Sequence, residues 1–426
     1  MGFVVFGLSP LTRSNVAGNE AYKPRWAKAS MLDPAAVASG VRPQLRLETL
    51  EWEELTQRKP TWSRLAASAL EPNAFLEPCF AVPAAQHLAP MRSPVFLVAS
   101  TVSADGESSE MAGLWPLVIP RRGFTTSFAR TWLHGYATSG CPLLEPKRGA
   151  ETLDLMLKWL EVTHPHIAGV EFPALDEAGP VAALIRQRAK ASDRDLASLD
   201  PRSRAILKRS NPPETGEPGL DPRPKTLRRQ WRKLSALGVQ YVSKRDPGAV
   251  RAGVETFLAL EASGWKGRRG TALLMEPGAV TFARTMTRLL AQEGRCRIES
   301  LELDGAPLAM LIVLQSGDRA FAWKMAYDEA WSDYSPGSQL IAEFTKRQLS
   351  EPSVRLTDSC AAPDDPLINR FWSDKVTLAD LLLANCPGKS SAFQSGLARE
   401  TLRRRLRSRA KDVYAVAMAK RASPSG

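Results

Sequence analysis

Histidine and cysteine, the residues that most often hold metals and drive nucleophilic catalysis, are scarce: 4 histidines and 5 cysteines in 426 residues. The cysteines, Cys79, Cys141, Cys296, Cys360 and Cys386, stand far apart and form no CxxC pair. That excludes zinc-ribbon spacing and predicts no metal site. It reads as a set of reduced thiols in the cytoplasm. The histidines, His87, His134, His164 and His166, all fall in the first half, so Cys360 has no base in its own half and reads as a small core residue. No apolar run approaches the roughly 20 residues of a membrane span. The short apolar run at 3–8 lacks the basic flank of a secretory signal. Acidic residues are in deficit, 45 against 57 Lys and Arg, for a net charge of +12. Such a surface favours anionic partners, whether nucleic acid, acidic lipid or phosphorylated small molecules.

A length of 426 residues with 44% hydrophobic content suits a globular protein of two domains. Residues 1–44 read as weakly ordered and 45–200 as a first domain. Residues 201–224 read as a proline-rich linker, because five prolines and two glycines fall between 205 and 225. Residues 225–385 form a second domain and 386–426 a basic helical tail. The second domain opens on KTLRRQWRKLSALG, where Leu227, Trp231 and Leu234 make one helical stripe. Further on, Asp304-Gly305 and Ser316-Gly317-Asp318 turn three strands into a meander. The first half repeats the order of hairpin, aromatic strand and helix, and Tyr136 echoes Tyr327. The spacing predicts an internal duplication.

The stretch EASGWKGRRGTAL, 261–273, sets one indole among three glycines and three cations at 264–270. It is expected as a mobile loop that grips an anion, or as a solvated basic loop with Trp265 packed inward. No GK[ST] completes a nucleotide-binding loop. Together with LDGAPLA (303–309), FAWKMAYDE (321–329), YSPG (334–337) and TDSCA (357–361), it resembles the acetyltransferase domain of the GNAT superfamily, in the CelD/BcsL-like branch. NAFLEPCF (73–80) and WLHGYATSGCPLL (132–144) extend the resemblance to about 45–385. Tandem copies of that fold also resemble the Fem-type aminoacyltransferases. The resemblance implies an α/β fold with a mixed, largely antiparallel sheet flanked by helices: a tandem acyl-CoA N-acyltransferase (GNAT) fold with a degenerate first copy.

What the resemblance implies about chemistry is an acyltransferase using acetyl-CoA or another acyl-CoA as co-substrate. The acceptor would be a small molecule, saccharide or peptide, in the branch a cell-envelope or exopolysaccharide precursor of the cellulose type. Ser335, Gly337 and Ser338, at the helix start after FAWKMAYDE, would offer backbone N–H groups to the CoA phosphates. The longer glycine run of ordinary GNAT members is absent. Asp358 is the expected base and Tyr327 the proton donor to the leaving thiolate. Trp265, Lys266, Arg268, Trp323, Lys324 and Asp328 are expected at the acceptor or donor, with Arg269 beside them. Each has a plainer reading: Asp358 as a turn cap, Tyr327 as a core ring, Lys324 as a snorkelling edge residue. Two alternatives remain: a Fem-like transferase taking its donor from aminoacyl-tRNA, with the helix at 225–233 and the tail on RNA, and a non-catalytic partner of a polysaccharide synthase. The basic tail would also suit the surface of an acidic membrane.

Overall fold

In the computed structural model the described residues are 44–88, 94–102, 109–123, 127–209, 221–363 and 365–422. The segment 1–43, expected to be weakly ordered, and 210–220 of the expected linker lie outside them. The first half runs β1 (Leu45–Leu50), α1 (Trp52–Thr56), α2 (Lys59–Ser68), α3 (Pro78–His87), β2 (Val95–Val102), β3 (Ser109–Val118), β4 (Phe128–Thr131), β5 (Leu143–Leu144), α4 (Gly149–Thr163), β6 (Gly169–Asp176), α5 (Pro180–Ala191) and β7 (Leu196–Lys208). The second half runs α6 (Lys225–Ala236), β8 (Gln240–Lys244), α7 (Pro247–Ser263), α8 (Trp265–Arg268), α9 (Pro277–Gln292), β9 (Cys296–Leu303), β10 (Ala306–Ser316), β11 (Arg319–Tyr327), α10 (Pro336–Leu349), β12 (Leu356–Asp358), β13 (Lys375–Ala384) and α11 (Ser391–Ala422).

All thirteen strands join one sheet, ordered β1-β2-β3-β4-β6-β13-β7-β12-β11-β10-β9-β8, with β5 on β3. The duplication is visible in the pairing. Strands β1 to β4 are antiparallel neighbours, and β4 then pairs in parallel with β6. Strands β8 to β11 do the same, and β11 pairs in parallel with β12. In each half, helices fill the connection between the first two strands and another helix links the two parallel strands. This is the tandem GNAT fold.

One expectation fails at the join. Residues 201–208 are not linker but the end of β7, which bonds to β13 and then to β12. The apolar stretch 375–384 is β13, inserted between β6 and β7. The sheet therefore passes without a break from one half to the other. Within 365–374, Ile368–Arg370 form a 3-10 turn.

Alternation along β10 shows how the sequence builds the layers. Met310, Ile312 and Leu314 enter a core with α7, α9 and, from the first half, α3; Ala309, Leu311 and Val313 enter another with α10. The stripe Ala279, Phe282, Ala283, Met286 and Leu290 on α9 seals the first of these. Rings knit the halves: Phe80 meets Phe282 at 5.1 Å and Phe75 meets Phe321 at 5.2 Å, both edge to face. The start of α11 docks on the first half through buried Phe393 and through Arg404, which donates to Glu171 and Asp380. Arg404 of the basic tail is thus already held inside the fold. No helix among the described residues is long and apolar enough to cross a membrane.

Candidate active site

Strands β11 and β12 are paired only from Arg319 with Leu356 to Phe321 with Asp358. Beyond that point they part. Along the same stretch β11 carries a bulge: Ile312 faces Lys324 while Val313 faces Ala322, so Trp323 is extra. A bulge re-aims side chains and frees backbone groups. Parting and bulge together open a cleft of about 360 Å³ beside Trp323–Tyr327. The carboxyl end of parallel strands is the general place for a ligand in such sheets.

The first half lacks this opening. There the chain at 139–142 crosses the end of β6, and the N–H of Gly140 donates to Pro173 O at 3.0 Å. A Cβ on Gly140 would stand 2.6 Å from that same oxygen, so only glycine fits. The helix of that half starts at Gly149, and SGCPLL is no helix cradle. Instead Gly135, Tyr136 and Thr138 of the first half form one wall of the second-half cleft.

Of the expected residues, Trp265, Lys266, Trp323, Lys324 and Tyr327 line the cleft together. The stretch 261–273 is not an unstructured loop. Trp265–Arg268 is one helical turn, and the Trp265 N–H donates to Glu329 at 2.6 Å. Trp265 is 40% exposed, with the Arg269 guanidinium 5.1 Å above its ring. Lys266 reaches inward and donates to Glu261 at 2.9 Å and to Met325 O, on the free edge of β11, at 3.1 Å. Arg268 turns out to solvent and pairs with Glu329 at 2.6 Å; it does not line the cleft.

Lys324 is the distinctive group. No carboxylate among the described residues partners it, and its Nζ sits 5.0 Å over the Tyr136 ring. Burial pulls its pKa below the usual lysine range, Glu261 opposes that, and Lys266 adds to it. Tyr136 is pushed up to about 12 by burial and by Glu276. Trp323 is fixed by its indole N–H on Tyr136 O at 2.9 Å.

The remaining candidates sit differently. Asp358 caps a turn: its Oδ1 accepts from Cys360 N–H at 2.7 Å, and Oδ2 pairs with Arg204 at 3.3 Å. It does not line the cleft. Asp328 accepts from Ala330 N–H at 2.9 Å as another cap. Ser335 adopts the left-handed region, φ 53°, and its N–H already donates to Ser332 O. Gly337 and Ser338 are the second and third residues of α10, ahead of its first intrahelical bond, which Gln339 makes to Ser335. Their N–H groups are the helix's unpaired donors. The side chains nearest a methyl placed on Gly337 are Tyr327, Met325 and Leu367, all of which line the cleft. The helix N-terminus therefore abuts it. Cys360 also lines the cleft, with its thiol pKa raised by burial and by Asp358. It is a neutral wall residue.

Reading the sequence missed Glu261. Its side chain is 1% exposed, and it receives Lys266 on one oxygen and the Leu273 N–H, at 2.9 Å, on the other. The signal was present: Val250, Val254, Phe257, Leu258 and Glu261 share the buried face of α7, and an acid on such a stripe needs partners. Among the described residues no group of three or more His, Cys, Asp or Glu is placed to hold a metal ion.

Comparison with known proteins agrees with this geometry. Residues 223–365, which contain the cleft's helices and β8 to β12, match the family described as acetyltransferase (GNAT) domain. No curated protein matches the chain. Among solved structures, FemX is similar at 11% identity and a TM-score of 0.50, over 79% of this chain and 96% of that one. A conserved protein of unknown function from Bacteroides thetaiotaomicron is similar at 10% identity and a TM-score of 0.47, over 80% and 100%. At these identities the FemX likeness speaks for the fold alone.

Proposed function

We propose that the chain is an acyltransferase whose β11–β12 cleft sets an acyl-CoA thioester against an amine or hydroxyl acceptor. The observation that carries this reading is an uncompensated lysine, Lys324, in a cleft whose other end is a helix start with two unpaired N–H groups. Gly337 and Ser338 suit the donor's pyrophosphate, with the dipole of α10 behind them. Lys324, with its charge disfavoured by burial, takes the proton from the acceptor nitrogen or oxygen. The acceptor atom bonds to the thioester carbon, the carbon–sulfur bond breaks, and the Tyr327 hydroxyl protonates the departing thiolate. Solvent then returns a proton to Tyr327 and removes one from Lys324. Asp358 acts as a positioning residue, since its bonds to Arg204 and Cys360 N–H hold the turn at the cleft edge.

The Trp265 ring, 40% exposed, and the half-buried Tyr136 ring, both on the cleft wall, suit the C–H faces of a sugar ring. They support a cell-envelope or exopolysaccharide precursor as acceptor. Thiol release from acetyl-CoA, measured against a panel of amino sugars, sugars and peptides, tests the reading. Turnover with one acceptor class, lowered at least a hundredfold by Lys324→Met, is the expected result. Turnover unchanged by Lys324→Met would remove Lys324 from the chemistry.

One feature supports a Fem-like reading with an RNA-borne donor. Arg228, Arg229, Arg232 and Lys233 on α6 are exposed and have no carboxylate partner among the described residues. Transfer RNA binding that falls steeply between 50 and 200 mM salt would favour it over free acyl-CoA.

A further inference from the structure

A second concavity, about 550 Å³ in volume, lies between α10 and the edge strands β8 and β9. It shares no lining residue with the cleft. Strand β8 ends the sheet, so the groove is open on that side. Its floor is polar and buried, which is unusual for a surface depression. Arg297, Glu299 and Gln348 are 5%, 3% and 3% exposed.

Nearly every function on that floor is filled. Glu299 accepts from Arg297 Nε at 2.6 Å on one oxygen and from the Tyr241 hydroxyl at 2.9 Å on the other. Arg297 also donates to Gln348 Oε1 at 2.6 Å. A guanidinium can only donate, so this bond fixes which way the Gln348 amide faces. Its Nε2 is left buried with no partner among the described residues. The walls show the same one-sided remainder. Lys346 is within ion-pair reach of Glu343 and Asp221, and Arg245 pairs with Glu351 at 2.9 Å. Arg347 pairs with no carboxylate among the described residues; its guanidinium lies 4.2 Å over the Tyr241 ring. What is unfilled here is a donor and a cation. The acids have their cations, and the buried amide carbonyl has its donor.

A buried donor without an acceptor is costly, and an unpaired guanidinium over an aromatic floor is a geometry suited to planar oxyanions. We infer that this groove is a second ligand site, taking a small oxyanion, a phosphate monoester or a carboxylate, on Arg347 and the Gln348 amide. It does not depend on the acyltransfer reading, because neither residue touches the cleft.

Calorimetric titration of the full chain with inorganic phosphate and, separately, with succinate tests this. Two variants are paired. Gln348→Glu keeps an acceptor for Arg297 but removes the free donor and adds negative charge. Arg347→Gln removes the unpaired cation at an exposed helix position. Saturable binding is expected, weakened about tenfold or more in each variant and unchanged in Lys324→Met. Tighter binding of phosphate assigns the phosphorylated class, and tighter binding of succinate the carboxylate class. Absence of saturable binding by the unmodified chain overturns the proposal. So does wild-type affinity in Arg347→Gln, or loss of binding in Lys324→Met, which would put the anion in the cleft instead.

Discussion

Replacing Glu261 with alanine should loosen the wall of the cleft more than any single change among the cations around it. The carboxylate is almost fully enclosed, while Lys266 keeps 24% of its side chain exposed. Removing one partner of a buried pair costs about 3–5 kcal/mol when both charges are enclosed. Here the exposed lysine recovers water, which places the charge part at or below the low end. The Leu273 N–H is then left without its acceptor, at about 1–3 kcal/mol. Glu261→Ala should therefore destabilise by about 3–4 kcal/mol. Glu261→Gln keeps an oxygen for Leu273 and should lose only about half of that. Urea denaturation gives both values. A double-mutant cycle with Lys266→Met should show coupling of about 1–2 kcal/mol, because Lys266 has little left to lose once Glu261 is gone. Glu261→Ala within about 1 kcal/mol of the parent, or no coupling to Lys266, would refute the assignment of this carboxylate as the anchor of residues 264–273.

His134 should make the fold acid-sensitive. Burial lowers its pKa to about 4, and the Tyr136 N–H points at its Nδ1, so the ring is held neutral. The unfolded chain binds this proton near pH 6.5, so stability is full above that value and falls as pH drops toward 4, by at most about 3 kcal/mol. His134→Phe should flatten that slope in denaturation measured at pH 7 and pH 4.5; an unchanged slope would assign the sensitivity elsewhere. Lys324→Met should raise the melting temperature while lowering transfer at least a hundredfold, because a half-buried polar amine whose charged form burial disfavours is replaced by an apolar chain of similar length. A lowered melting temperature would mean that Lys324 has a structural partner. Gly140→Ala should cost about 1–3 kcal/mol, since its new methyl meets the Pro173 carbonyl. A thermal scan indistinguishable from the parent would contradict the closed crevice of the first half.

The residues that were legible beforehand are those whose environment is set by near neighbours in the chain. The meander turns at 304–305 and 316–318, the helix start at Pro336 and the aromatic strand 321–327 all follow from local turn chemistry and periodicity, and five of the proposed cleft residues do meet. What escaped depends on pairing between distant segments. Strand β13 lies between two first-half strands, and nothing in KVTLADLLLA says which neighbours it will take. The bulge at Trp323 exists only relative to β10. Asp358 looked like a base because it ends a strand beside the cleft, but Arg204, 154 residues earlier, turns its carboxylate to a structural use. Arg268 and Lys266 are chemically alike in sequence. One turn of helix sends the first to Glu329 at the surface and the second to Glu261 inside.

The central claim is that the parted strands and the start of α10 hold an acyl-CoA. Calorimetric titration of the purified chain with acetyl-CoA, beside a Gly337→Trp variant, addresses it most directly. The indole would enter the space lined by Tyr327, Met325 and Leu367. Micromolar binding by the parent, lost in a variant that still melts cooperatively, is the predicted result. No binding of any acyl-CoA by the parent, or equal binding by the variant, would contradict the claim.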